Sequence, residues 1–175
     1  MNLKNFIRTV PDYPKPGILF RDITTLLYNG EALKYITDVY YNRYKDNNIN
    51  RVAGIEARGF IFGSMLAEKL GVSFIPIRKK GKLPCEVIYE EYDLEYGKDV
   101  LEIDSSAINK NDNVVIVDDL IATGGTAKAA ANLIKRLNGN IYEFCFVINL
   151  PNLFGAKKLN SQGYKVFSLI EYEGK

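Results

Sequence analysis

No histidine occurs among the 175 residues of this chain. That excludes Ser-His-Asp and Cys-His nucleophiles and histidine-based zinc sites, and it leaves acid–base work to Asp, Glu, Lys, Tyr or backbone groups. Cysteine is nearly absent as well. Cys85 and Cys145 lie far apart and lack a partner at metal-ligand spacing, which suits a reducing compartment better than a disulfide framework. No apolar run approaches the ~20 residues that a bilayer-spanning helix needs, and Met1-Asn2-Leu3-Lys4-Asn5-Phe6 lacks the long apolar stretch of a signal peptide. A cytoplasmic location without a membrane partner is expected. Charge of one sign is also missing: 23 basic residues face 21 acidic ones, and a net charge of +2 gives no field for nucleic acid.

What is present is ordinary globular composition, 47% apolar and 25% charged, at a length that suits one domain over residues 1–175. Leu33, Ile36, Val39 and Tyr40 recur at helical spacing within residues 31–45. Arg51 to Ile55 reads as a strand, Gly59 to Leu70 as a buried helix and Val72 to Ile77 as a strand. Val114-Val115-Ile116-Val117 is continuously apolar and β-branched, as a parallel strand covered on both faces would be. A helix from Ala127 to Leu137, closed by Asn138-Gly139, and a strand from Tyr142 to Leu150 follow. This alternation predicts an α/β fold with a mainly parallel sheet flanked by helices. Two segments break the rhythm. Residues 11–22 carry three prolines and cannot be helix. Residues 78–98, basic at the start and rich in glycine and tyrosine, read as a long, mobile binding loop.

Chemistry concentrates in Val114-Val115-Ile116-Val117-Asp118-Asp119-Leu120-Ile121-Ala122-Thr123-Gly124-Gly125-Thr126. A buried strand runs into two carboxylates, a turn of small residues and a helix. Ligands of open parallel sheets collect beyond the carboxyl ends of the strands. Ala122, Thr123, Gly124, Gly125 and Thr126 would present amide N–H groups at a helix N-terminus, with two glycines allowing close approach and two hydroxyls adding donors. That describes a phosphate cradle, although not the Gly-x-x-x-x-Gly-Lys-Ser/Thr loop of nucleotide triphosphatases. Carboxylates beside a phosphate site need a donor of their own. Vicinal sugar hydroxyls suit, so Asp118 and Asp119 point to a ribose carrying a 5-phosphate.

The string resembles the ribose-phosphate motif of type I phosphoribosyltransferases, which use phosphoribosyl pyrophosphate (PRPP). Phe20-Arg21-Asp22-Ile23-Thr24, Gly54-Ile55-Glu56-Ala57-Arg58-Gly59-Phe60, Arg78-Lys79-Lys80-Gly81-Lys82-Leu83-Pro84, Leu94-Glu95-Tyr96-Gly97-Lys98 and Leu101-Glu102-Ile103 are similar, in order and spacing, to the adenine-using members. The similarity runs from Pro14 to Leu169 and is least diagnostic after Pro151; Thr25 stands where many relatives have proline.

The resemblance implies a type I fold with a small N-terminal hood, about residues 1–30, and a flexible catalytic loop, about residues 79–97. It implies displacement of pyrophosphate from PRPP by adenine to give AMP, a purine-salvage reaction, with Mg²⁺ on the pyrophosphate and no direct protein–metal ligand. Arg58, Arg78, Lys79 and Lys82 are then the pyrophosphate-binding residues, and the Glu56–Ala57 peptide is cis. Arg78 reaches the neighbouring site of a homodimer. Glu95 is the acid–base candidate and Tyr96 packs over the reacting centre as the loop closes. Leu19, Phe20 and Arg21 bind adenine, the ring by stacking and the backbone by reading its exocyclic amine. Two rivals stay open: a relative acting on hypoxanthine, xanthine or orotate, and a PRPP-sensing regulator, for which no helix-turn-helix or basic stripe is present. A purely structural role would leave the acidic pair and the basic loop as coincidences.

Overall fold

The computed structural model describes residues 1–93 and 97–173. After a 3-10 turn at Leu3–Phe6, two short strands, β1 (Arg8–Pro11) and β2 (Leu19–Asp22), pair antiparallel with Val10 opposite Phe20. Pro11 ends β1, while Pro14 and Pro16 sit in the connection, so no interior ladder donor is lost. Helix α1 (Thr24–Leu27) leads to α2 (Gly30–Tyr44), whose first turn is capped by Asn29 accepting from the Ala32 N–H. Then come β3 (Arg51–Ile55), α3 (Arg58–Leu70), β4 (Ser73–Lys79), β5 (Val87–Asp93), β6 (Lys98–Asp104), β7 (Asn113–Ile121), α4 (Gly125–Arg136), β8 (Asn140–Asn149), a 3-10 turn at Pro151–Leu153, α5 (Gly155–Ser161) and β9 (Val166–Glu171).

Among the described residues, β3 to β9 form one seven-stranded sheet in the order β5-β6-β4-β3-β7-β8-β9. β4, β3, β7, β8 and β9 run parallel, whereas β5 and β6 are antiparallel additions at one edge. The mainly parallel sheet expected from the apolar runs is therefore present. Its two faces bury separate cores: Ile116, Ala130, Leu133, Ile134 and Phe144 under α4, and Val115, Val117, Tyr40, Phe62 and Leu66 under α2 and α3. Such burial, roughly 25 cal/mol per Å² of apolar area, is the main force holding both helix layers to the sheet.

β3 leaves through α3 toward β4 on one side, and β7 leaves through α4 toward β8 on the other. These neighbours thus form a topological switch point, where a crevice opens beyond the carboxyl ends of the strands.

The reading of residues 78–98 as one long loop requires correction. β4 extends to Lys79, and β5 and β6 make a hairpin in ladder register from Val87 opposite Asp104 to Asp93 opposite Lys98. The alternation in Val87–Asp93 is masked by Glu90 and Glu91, one half-buried and one exposed on this edge strand, so charge resembled loop composition. Acids also tie down the basic start of the segment: Glu56 accepts from the Lys79 N–H at 2.8 Å, and buried Glu102 accepts from the Gly81 N–H at 2.9 Å. Glu95 and Tyr96 lie outside the described residues. The other elements that the sequence reading named differ from it mainly at their ends, and β1, β2, α1, α5 and β9 are additions to it.

Candidate active site

At the switch point, α3 starts at Arg58 immediately after the cis Glu56–Ala57 peptide. The register sets Gly54 of β3 beside Val117 of β7, so the starts of the two following turns stand side by side. Close approach depends on Gly59: a Cβ there would lie 2.6 Å from the Val117 carbonyl oxygen and 3.1 Å from Asp118 Oδ1. Arg58 Nε accordingly comes within 3.1 Å of Asp119 Oδ2.

Asp118 and Asp119 follow the fully buried run Val114–Val117 of β7. Asp119 is 3% exposed. Asp118 Oδ1 accepts from the Asp119 N–H at 2.8 Å. The Arg58 N–H does not point along a hydrogen-bond line, and Asp119 Oδ2 is a buried oxygen without a hydrogen-bond partner. Burial first, then the neighbouring Asp119 charge, pushes the Asp118 carboxyl well above the usual carboxylate range. Burial raises Asp119 too, against the opposing pull of Arg58. A buried acceptor left open beside a cavity is suited to an incoming hydroxyl donor.

The turn that follows is shaped for an anion. Gly124 adopts φ +86° and precedes α4, whose first turn has no side-chain cap, so its leading amides stay available. Arg58, Asp118 to Ala127 and Phe146 line a cavity of about 190 Å³. The sequence-predicted Asp118, Asp119, Ala122, Thr123, Gly124, Gly125, Thr126 and Arg58 thus converge on one space.

The other basic candidates do not line it. Arg78 is engaged by the Glu56 carboxylate at 3.2 and 3.3 Å and donates to the Lys82 carbonyl at 3.0 Å. Burial tends to raise Glu56, but the Lys79 N–H and the Arg78 guanidinium more than reverse that and hold it low. Lys79 is paired with Asp99 and donates to the Tyr92 hydroxyl at 2.6 Å. Lys82 is exposed. Leu19, Phe20 and Arg21 lie on β2, also away from the cavity lining. Phe20 meets Tyr13 edge-on at 5.1 Å, and the Arg21 guanidinium stacks 4.2 Å over Tyr172 while donating to Thr9. Thr25 staples the N-terminal segment, donating to the Phe6 carbonyl at 2.7 Å and accepting from the Arg8 N–H at 3.0 Å.

Gly155 escaped the sequence reading. Its N–H donates to the Ala122 carbonyl at 2.9 Å, and a Cβ there would come within 2.3 Å of that oxygen. The start of α5 therefore buttresses the cradle from behind. The only sequence signal was one glycine in a weakly patterned stretch.

The geometry suits an anion beside an acidic pair, and the known proteins that the chain is similar to fall in one family. The model of the phosphoribosyl transferase domain matches residues 22–171. An adenine phosphoribosyltransferase of Methylobacillus flagellatus is 54% identical over 99% of this chain and 98% of its own length. The chain belongs to the adenine phosphoribosyltransferase family. The crystal structure of a family member from Thermoanaerobacter pseudethanolicus superposes with a TM-score of 0.92 at 46% identity, covering 97% of this chain and 98% of that one. The enzyme from Saccharomyces cerevisiae, complexed with an imino-altritol bisphosphate and adenine, gives a TM-score of 0.89 at 41% identity over 96% of each chain. The sheet flanked by helices is therefore the type I fold.

Proposed function

We propose that the chain transfers the 5-phosphoribosyl group of PRPP to N9 of adenine, giving AMP and pyrophosphate in purine salvage. The observation that carries this is the convergence of uncapped α4 amides with the open, buried carboxylate of Asp119 in one cavity. Amides of Ala122–Thr126 receive the 5-phosphate, and Asp118 and Asp119 accept hydrogen bonds from the 2′- and 3′-hydroxyls. The names of the relatives, adenine phosphoribosyltransferases at about half identity over nearly the whole chain, support adenine as the base.

Positive charge builds on the ribose ring as the leaving group departs, and buried carboxylates nearby stabilise it electrostatically. Arg58 faces the same space and is the pyrophosphate contact best supported by geometry. Arg78, Lys79 and Lys82 complete the polyanion site in this reading, with Arg78 serving the neighbouring site of a homodimer. Its partly exposed position at the end of β4 favours that reach. Among the described residues no cluster of three acids, cysteines or histidines could hold a metal. In this reading Mg²⁺ would be carried by the pyrophosphate with no direct protein ligand, leaving Asp118 and Asp119 to the ribose. When bound, the ion neutralises charge on the leaving group.

Glu95 handles the adenine proton and Tyr96 covers the centre. Supporting this, the chain just before them reaches the cradle: a Cβ at Gly125 would lie 3.1 Å from the Asp93 carbonyl oxygen. Leu19, Phe20 and Arg21 receive the base when the hood closes on it. The free thiols Cys85 and Cys145 support a cytoplasmic setting. No helix among the described residues is long and apolar enough to cross a membrane. The test is turnover with adenine, PRPP and Mg²⁺ beside a panel of hypoxanthine, xanthine and orotate. AMP formation with adenine alone is expected; release of pyrophosphate with another base, or PRPP binding without turnover, would contradict it. Light scattering then tests the dimer.

A further inference from the structure

Lys79 is joined to Tyr92 and Asp99 in a closed charge cluster, and the reaction as described gives those two partners no part. The Lys79 ammonium donates to the Tyr92 hydroxyl at 2.6 Å and pairs with Asp99, and the same Asp99 Oδ2 accepts from the Tyr92 hydroxyl at 3.1 Å. Tyr92 and Asp99 face each other across the β5–β6 ladder, so the carboxylate is fixed in the sheet and cannot follow the lysine. Tyr92 is 8% exposed, and its ring edge lies 3.7 Å from where a Cβ at Gly125 would stand. One tyrosine ring therefore separates the ammonium from the first residue of α4. The Lys79 backbone is anchored independently, through its N–H to Glu56. Only the flexible side chain is left to move.

A polyanion that recruits this ammonium has to displace a carboxylate already bound to it. We propose that Asp99 is a positioning residue that holds Lys79 against Tyr92, one ring from the phosphate loop, and competes with pyrophosphate oxygens for its charge. The proposal rests on the phosphoribosyl-transfer reading above and adds a residue that limits affinity for the polyanion, so that pyrophosphate is released after transfer. It opposes the usual expectation that removing a residue near a binding site weakens binding.

The experiment is steady-state kinetics of the full-length protein and its Asp99→Asn variant, with PRPP varied and with inorganic pyrophosphate as product inhibitor. In the variant, KM for PRPP and the inhibition constant for pyrophosphate fall together, about three- to fivefold, the range of one partly exposed ion pair. KM for adenine stays unchanged. In a Lys79→Met background the same Asp99→Asn change has no effect, because the contested charge is gone. Asp99→Ala, which removes the charge without introducing an amide, moves both constants in the same direction and covers a misfolded first variant. A PRPP KM that rises or stays within about twofold of the parent, or that shifts equally in the Lys79→Met background, overturns the proposal. A parent without turnover would sink the transfer reading instead, so the two failures are distinguishable.

Discussion

Asp22 in the N-terminal hood and Asp119 at the end of β7 are both buried and both have an arginine beside them, yet their environments are opposite. Asp22 accepts from Arg8 at 2.5 and 3.2 Å and from the Thr24 N–H at 2.9 Å. Hydrogen bonds from Thr24 and Arg8 pull its carboxyl down to about 2. Asp119 is more deeply buried, has one oxygen without a hydrogen bond, and is pushed up by burial. A saturated carboxylate holds its own fold together. An unsaturated one carries a cost in the free protein that a ligand hydroxyl can relieve.

Substitutions can break this comparison at either end. The largest effect is expected from Asp118→Asn, at the carboxyl next to Asp119 in the same acidic pair, which burial likewise pushes up. Losing a charged acceptor for the ribose diol should lower kcat/KM for PRPP about 100-fold, on the order of 3 kcal/mol, with little change in the adenine KM. The ligand-free variant should be more stable than the parent. Because the folded-state carboxyl is raised, its ionisation opposes folding; the native state loses stability as pH rises through that value, so at pH 7 the amide removes a burden. A melting temperature higher by roughly 2–4 °C per kcal/mol is expected by calorimetry. A lower one would undo the contrast.

Gly155→Ala comes next. The added methyl meets the Ala122 oxygen, so the cradle must shift, and PRPP KM should rise about 10-fold by the cost of a displaced phosphate contact. An unchanged KM would show that α5 does not support the loop. Phe20→Ala should raise adenine KM alone, by about 10-fold for a lost stacking partner. Equal effects on both substrates would remove Phe20 from base recognition.

Asp22→Asn tests the other side. Its folded-state carboxyl is lowered, so its contribution to stability is present above the unfolded value near 4 and is lost as pH falls toward about 2. The variant should lose roughly 2 kcal/mol at pH 7, and the difference from the parent should shrink below pH 4 in urea titrations. Catalysis at 25 °C should be almost untouched.

Much of this was legible in the sequence for physical reasons. Val114–Val117 had to be a buried strand, and the small residues from Ala122 had to turn, so the strand and turn that line the cavity could be read directly. The hairpin of β5 and β6 was not, because Glu90 and Glu91 interrupt the apolar pattern although Glu90 serves packing: it accepts from Asn132 of α4 at 2.7 Å. Lys79, Tyr92 and Asp99 are joined only by the antiparallel ladder, which no local pattern reveals. Gly155 acts through a backbone contact with Ala122, invisible until both turns are folded. The role of Arg78 came from the resemblance, and its pairing with Glu56, far away in sequence, had no local signal.

The most direct measurement is a crystal structure of the protein with AMP. Expected is the 5-phosphate on the amides of Ala122 to Thr126, with both ribose hydroxyls within hydrogen-bond distance of Asp118 and Asp119. AMP bound elsewhere, with Asp119 Oδ2 still lacking a donor, would contradict the site.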